Sequence, residues 1–145
     1  GQPMTEVTFY FNAPDKLATA RSLAGKAYAS GRRLLIYSSE HPLLASLDTL
    51  LWTTPSTGFL PHCRASDRHA AETPVLLTAD PEALPHHEIL MNLDRELPLH
   101  FSRFERVLEI VSRDDEEDRA LARDRFRFYR DRGYAIQRHD LASRS

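Results

Sequence analysis

Lysine is nearly missing from this 145-residue chain: of 19 basic residues only Lys16 and Lys26 are lysine, which leaves 17 arginines. Cysteine occurs once, as Cys63, which excludes an internal disulfide and a Cys-rich zinc site and suits a reducing compartment. No run approaches the ~18 to 20 consecutive apolar residues a membrane helix needs. The start also lacks the charged-then-apolar layout of a secretory signal, so a soluble cytoplasmic protein is expected. The five glycines are so scattered that neither G-x-G-x-x-G nor G-x-x-x-x-G-K-[ST] occurs, and no phosphate-cradling loop is expected. The G-x-S-x-G elbow, the H-E-x-x-H pair and H-x-E with C-x-x-C are missing too, which removes the hydrolase, zincin and deaminase templates.

What remains is an ordinary globular composition, 41% apolar and 28% charged, long enough for one domain around a single core. Gly1, Gln2 and Pro3 precede Met4 and read as the scar of a cleaved tag, so the domain is taken as residues 4–145. The net charge of -2 is too near neutral for a protein that holds duplex DNA mainly by neutralising phosphates. Its distribution says more than its sum. Seven arginines fall between Arg119 and Arg138 with only Asp124 and Asp131 against them. The acidic run just before, residues 114–118, suits the first turn of a helix by complementing its positive N-terminal dipole and needs no functional role.

Short apolar runs alternate with helical periodicity along the chain. Residues 7–11 (VTFYF), 34–37 (LLIY), 75–78 (VLLT), 89–93 (ILMNL) and 107–111 (VLEIV) read as strands, with a last short strand at 134–137. Helices are expected at about 15–30, capped by Asp15 and stopped by Gly31, at 41–52, and at about 115–132, stopped by Gly133; a helical turn is expected at 101–104. Residues 53–73 read mostly as loop, and a polar stretch before residue 89 has room for a short helix. The pattern implies a Rossmann-like three-layer α/β/α fold with an open, mostly parallel sheet and no nucleotide-binding glycine loop.

Seven histidines raise a metal or catalytic reading, with His86, His87 and Glu88 in one cluster and His62, Cys63 and His69 in another. Neither has the spacing that aligns several ligands on one ion, and no third group orients a base for Cys63, so no metal, cofactor or catalytic residue is assigned.

Two segments look like binding surfaces. On the last helix, at about 100° per residue, Arg119, Arg123, Arg127 and Arg130 fall within roughly 80° of arc, with Phe126 beside them. Leu121, Ala122, Phe128 and Tyr129 are left to pack on the sheet, and Asp124 and Asp131 lie off the stripe. A solvated charged face is the plain reading of such a stripe. Guanidiniums beside an aromatic wall also suit a short acidic peptide with a terminal carboxylate, or single-stranded nucleic acid, and geometry alone leaves these open. The second segment carries Trp52 and Phe59 on or beside a proline-bounded loop, which fits either core packing or an interface anchor.

The opening T-F-Y-F at residues 8–11, G-R-R-L-L-I at 31–36, L-W-x-x-P-x-x-x-F-L-P-H at 51–62 and L-A-R-D-R-F-R-F-Y-R-D-R-G at 121–133 together resemble the chi subunits of bacterial DNA polymerase III, small accessory proteins of the clamp-loader complex. The resemblance spans nearly the whole chain. It implies a Rossmann-like fold without nucleotide binding, no active site of its own within the polymerase holoenzyme, and a place at the replisome in the bacterial cytoplasm. It implies further that one surface binds the acidic, phenylalanine-ended C-terminal tail of the single-stranded-DNA-binding protein, through Val111, Arg119, Arg123, Phe126 and Arg127. Another surface, at Trp52 and Phe59, would bind the psi subunit, and in some relatives an iron-sulfur DNA helicase competes for it. The family commonly has tyrosine and lysine where this chain has Phe126 and Arg127, so one hydroxyl donor is lost from the implied tail site. Contact with DNA would be indirect. Two rival classes remain: a module that binds single-stranded nucleic acid directly through the same arginines, and a small-molecule enzyme using His86 and His87.

Overall fold

The computed structural model describes residues 4–53, 60–82, 85 and 87–143. Seven strands form one sheet, β1 (Glu6–Ala13), β2 (Leu34–Tyr37), β3 (His62–Arg64), β4 (Val75–Thr78), β5 (Ile89–Asn92), β6 (Arg106–Ser112) and β7 (Ile136–Asp140), in the spatial order β3-β4-β2-β5-β6-β1-β7. Every pairing is parallel. The central strands are buried on both faces, as the fully covered Leu34, Leu35 and Ile36 of β2 show, which is why they read as unbroken apolar runs.

Alternate residues feed two cores. One face packs Leu34, Ile36, Val75, Leu77, Met91 and Ile110 against helices α1 (Lys16–Ala29) and α2 (His41–Thr53). The other packs Val7, Phe9, Leu35, Leu76, Leu90 and Val107 against helix α3 (Glu116–Asp131). This is the three-layer α/β/α arrangement, with all described strands parallel rather than most of them.

The helix boundaries follow local chemistry. Asp15 and Asp115 each accept a hydrogen bond from the amide three residues on, 3.1 Å and 3.0 Å, satisfying donors that the first turn leaves unpaired. Gly31 and Gly133 have φ of 72° and 82°. Around each the chain closes a paired C-terminal turn: Arg32 N–H donates to Ala27 C=O and Gly31 N–H to Tyr28 C=O, and likewise Tyr134 to Tyr129 and Gly133 to Arg130. Only a residue without a Cβ takes that conformation freely.

Two strands differ from the sequence reading. Residues 62–64 form an edge strand inside what reads as loop, because His62, Cys63 and Arg64 pair with Val75, Leu76 and Leu77 of β4 although none of the three is a strong strand former. The last strand lies at Ile136–Asp140, later than 134–137, because Tyr134 is spent closing the turn after α3. Its run of Gln137, Arg138, His139 and Asp140 is polar, as befits an exposed sheet edge. The helical turn near residue 101 is a single 3₁₀ turn, Phe101–Arg103. Of the expected short helix before β5, residues 83, 84 and 86 lie outside the described residues. No described helix is long and apolar enough to cross a membrane.

Candidate functional site

Helix α3 is held to the sheet by charges as well as by apolar contacts. In the middle of β6, V-L-E-I-V places Glu109 at zero exposure. Its carboxylate accepts from Arg125 Nε at 3.1 Å, Tyr129 OH at 2.8 Å and Asn92 Nδ2 at 3.2 Å. Arg125 is itself buried and donates through Nη1 to Arg95 C=O at 2.7 Å. Burial, reinforced by the Glu109 charge, pushes the Tyr129 phenol far above the ordinary tyrosine range, so it acts as a neutral donor. Arg125, one of the seven arginines of the basic C-terminal run, is therefore internal, and it occupies the arc of α3 between Ala122 and Tyr129. Leu121 and Phe128, expected on the sheet, are only half-buried and flank a neighbouring groove with Leu97 and Leu99.

The acidic run before α3 holds a second exception to the sequence reading. Asp118 is buried, accepting Ser112 N–H at 2.9 Å and the Lys16 ammonium at 3.0 Å. Burial alone would raise its pKa, but the Ser112 hydrogen bond and the Lys16 charge outweigh it and hold the carboxyl below the ordinary aspartate value of 3.8. It ties the start of α3 to the end of β6 and the first residue of α1.

These anchors turn the opposite side of α3 outward over the end of the sheet. There a groove of about 560 Å³ is lined by Arg119, Arg123, Arg127 and Arg130 from α3, by Val111 and Ser112 ending β6, by Phe9, Phe11 and Asn12 of β1, and by Arg138 of β7. Phe126 and Ala122 belong to its apolar floor. The Phe126 ring meets Phe9 edge-on at 5.5 Å, and Phe9 in turn meets Tyr129 at 5.9 Å, so the floor is continuous with the core. Val111, Arg119, Arg123, Phe126 and Arg127 are thus brought together, along with the fourth stripe residue Arg130. Asn12 at the rim has φ of 63°, interrupts the β1 register, and donates to Asp140 Oδ1 at 2.8 Å.

The stripe is not as bare of acid as its helical angles suggest. Arg119 pairs with Glu116 at 3.0 Å, Arg127 with Asp124, and Arg130 with Asp131 at 3.1 Å. Long guanidinium arms let Asp124 and Asp131 reach the stripe from outside its arc. Such exposed pairs are each worth only about 0.3–0.5 kcal/mol and exchange readily for another acid. The lining arginine that periodicity missed is Arg138. It lies eight residues past Arg130, and the parallel register that sets it opposite Phe9 is a tertiary fact.

The second predicted surface is partly described. Trp52, at the C-terminal end of α2, is 59% exposed, which removes the core-packing reading. Its ring leans on the buried His62 ring at 4.7 Å, and His62 Nδ1 lies 2.7 Å from Leu60 C=O. Phe59 and His86 lie outside the described residues. His87 packs edge-on against Phe104, and among the described residues no three of His, Cys, Asp or Glu gather as a metal site would need.

With this geometry in hand, comparison with known proteins is specific. The family model for the DNA polymerase III chi subunit, HolC, matches residues 4–137. DNA polymerase III subunit chi of Pseudomonas aeruginosa is 35% identical over 142 residues, covering 95% of this chain and 98% of that protein. The subunit chi of Escherichia coli is 27% identical over 142 residues, covering 92% and 96%, and that of Haemophilus influenzae 24% over 123, covering 84% and 85%. The chain belongs to the DNA polymerase III chi subunit family.

Proposed function

We propose that this chi subunit is a non-catalytic connector in DNA replication, whose arginine-walled groove binds the acidic, phenylalanine-ended C-terminal tail of single-stranded-DNA-binding protein. The observation that carries this reading is the conjunction in one groove of five guanidiniums, from Arg119, Arg123, Arg127, Arg130 and Arg138, with an aromatic floor formed by Phe9 and Phe126. The tail supplies the complement. Its carboxylates exchange with Glu116, Asp124 and Asp131 on the arginines, while its terminal phenylalanine side chain is buried against Phe126 and Val111. Burying one Phe side chain contributes roughly 1.5–3 kcal/mol, and each exposed charge pair adds less. A single tail contact is therefore weak, and several tails on a coated template raise the effective concentration for rebinding.

The exposed Trp52 face is the surface we assign to the psi subunit, with Phe59 as its second anchor, and the same face is the one offered to an iron-sulfur DNA helicase. Separation of the two surfaces lets one molecule join clamp loader to coated template. A large aromatic left 59% exposed at the end of a helix whose Leu44, Leu47 and Leu51 are buried has the character of an interface anchor.

Arg123→Ala and Arg127→Ala each weaken tail binding while leaving the melting temperature in place, since both side chains are exposed. Unchanged affinity in both variants sinks the assignment. Retention of the protein on bare single-stranded DNA, lost in the same variants, assigns the groove to nucleic acid instead.

A further inference from the structure

Beneath the exposed Trp52 lies a histidine whose two ring nitrogens both face oxygen. The His62 side chain is 1% exposed. Its Nδ1 lies 2.7 Å from Leu60 C=O, and because a carbonyl only accepts, Nδ1 carries a proton. Its Nε2 lies 3.3 Å from Asp48 Oδ1, yet it makes no hydrogen bond to any described residue. In the neutral ring Nε2 presents a lone pair to that carboxylate, two acceptors in contact with no proton between them. A second proton turns the same contact into a charge-assisted hydrogen bond, and the partly exposed Asp48 has room to turn its carboxylate toward it.

Asp48 and Trp52 stand one turn apart on α2, so both reach the ring. The Trp52 and His62 ring centres are 4.7 Å apart, within the range over which a cation is attracted to an indole. The neighbouring strand β4 brings no charged side chain, and neither does the sequence at 54–59. The other titratable group of α2, His41, is at its far end. On β3 itself Arg64 shares the His62 face two residues on, and it joins burial in opposing a second proton. Asp48 is the group that offsets both. Resting on the assignment of the Trp52 face to psi, we infer that His62 is the positioning residue of that face. Doubly protonated, it clasps Asp48 on α2 and Leu60 where the chain returns to β3, and it fixes the Trp52 ring for docking. Capture of psi is then strongest when the imidazole is charged and weakens as pH rises through about 5 to 8, where imidazole loses its charge.

Trp52 is the only tryptophan of the chain, so its emission reports on this one place. Charged imidazole quenches an adjacent indole more strongly than neutral imidazole, so the emission of the full chain falls in one step between about pH 8 and about pH 5. His62→Gln abolishes the step, and Asp48→Asn, a change at a partly exposed site, moves it to lower pH. Calorimetric titration with psi at constant salt shows the wild type losing about tenfold in affinity from about pH 6 to about pH 8, the size of one hydrogen bond to a charged group. Asp48→Asn shows a much smaller change. Ionisable groups on psi contribute equally to both proteins, so the difference belongs to the clasp. Flat wild-type emission overturns the clasp and leaves the psi assignment standing. An emission step accompanied by the same pH dependence of psi affinity in wild type and Asp48→Asn overturns the positioning role. A wild type that captures no psi at any pH overturns the psi assignment and the positioning role together.

Discussion

Replacing Glu109 by glutamine is the substitution with the largest consequence for the placement of α3. The side chain keeps its size and can still accept from Tyr129 OH, 2.8 Å away, but the carboxylate charge facing Arg125 is gone. Arg125 is then a cation with 5% side-chain exposure and no charged partner. Breaking a buried pair in this way costs about 3–5 kcal/mol, because the remaining charge keeps its desolvation penalty without its compensation. For a domain of this size that corresponds to a fall of about 10–15 °C in melting temperature. In urea, with a slope of about 2 kcal/mol per molar, the midpoint falls by about 2 M with the slope unchanged. The double variant Glu109→Gln/Arg125→Met removes the stranded charge and recovers more than half of the loss, since apolar replacement of both partners is often close to neutral. Equilibrium urea unfolding followed by circular dichroism reads all three proteins. A Glu109→Gln loss below about 1 kcal/mol, or a double variant less stable than the single, refutes the view that this pair anchors α3.

Asp118 gives a pH signature whose sign is fixed by its depressed pKa. The folded value lies below the unfolded one, so the stabilisation is complete above the ordinary value of 3.8 and is lost as pH falls through the folded value. Asp118→Asn therefore flattens the drop in urea midpoint below about pH 4 relative to wild type, and parallel curves from pH 5 to 2.5 contradict the assignment. Trp52→Ala, at an exposed position, changes stability by about 1 kcal/mol or less, spares tail binding and abolishes capture of psi in a pull-down; a large fall in melting temperature puts Trp52 in the core instead. Phe126→Ala removes the edge-on contact with Phe9 and part of the groove floor, and it weakens the tail peptide at every salt concentration, whereas the loss from Arg123→Ala shrinks as salt rises. Calorimetric titration at two ionic strengths separates the two.

Legibility in the sequence divides by the range of the forces involved. Helix stops at Gly31 and Gly133 and the cap at Asp15 are local chemistry, and they are read correctly from neighbouring residues alone. Strands β2 and β4 are legible because burial on both faces makes them continuous in Leu, Ile and Val. By contrast, β3 consists of His62, Cys63 and Arg64, and β7 is dominated by Gln137, Arg138, His139 and Asp140. Their partners on β4 and β1 make them strands, and that information lies elsewhere in the chain. The stripe on α3 is visible because 3.6-residue periodicity is local, and that same locality hides Arg138, which reaches the groove only through sheet register. The internal position of Arg125 is hidden for a related reason, since it is one arginine in a basic run. A glutamate in the middle of V-L-E-I-V is the sequence signal that points to it, since a carboxylate inside a buried strand requires a charged partner.

The most direct measurement is the titration of the full chain with the aspartate-Ile-Pro-Phe peptide and a copy lacking the final phenylalanine, each at low and high salt. A groove that combines aromatic floor and arginine wall binds the complete peptide saturably, loses most of that affinity with the phenylalanine, and weakens moderately at high salt because only the ionic part is screened. Equal binding of both peptides, or binding that vanishes entirely with salt, would mean that the arginines act as a plain cationic surface and that the groove does not recognise the tail.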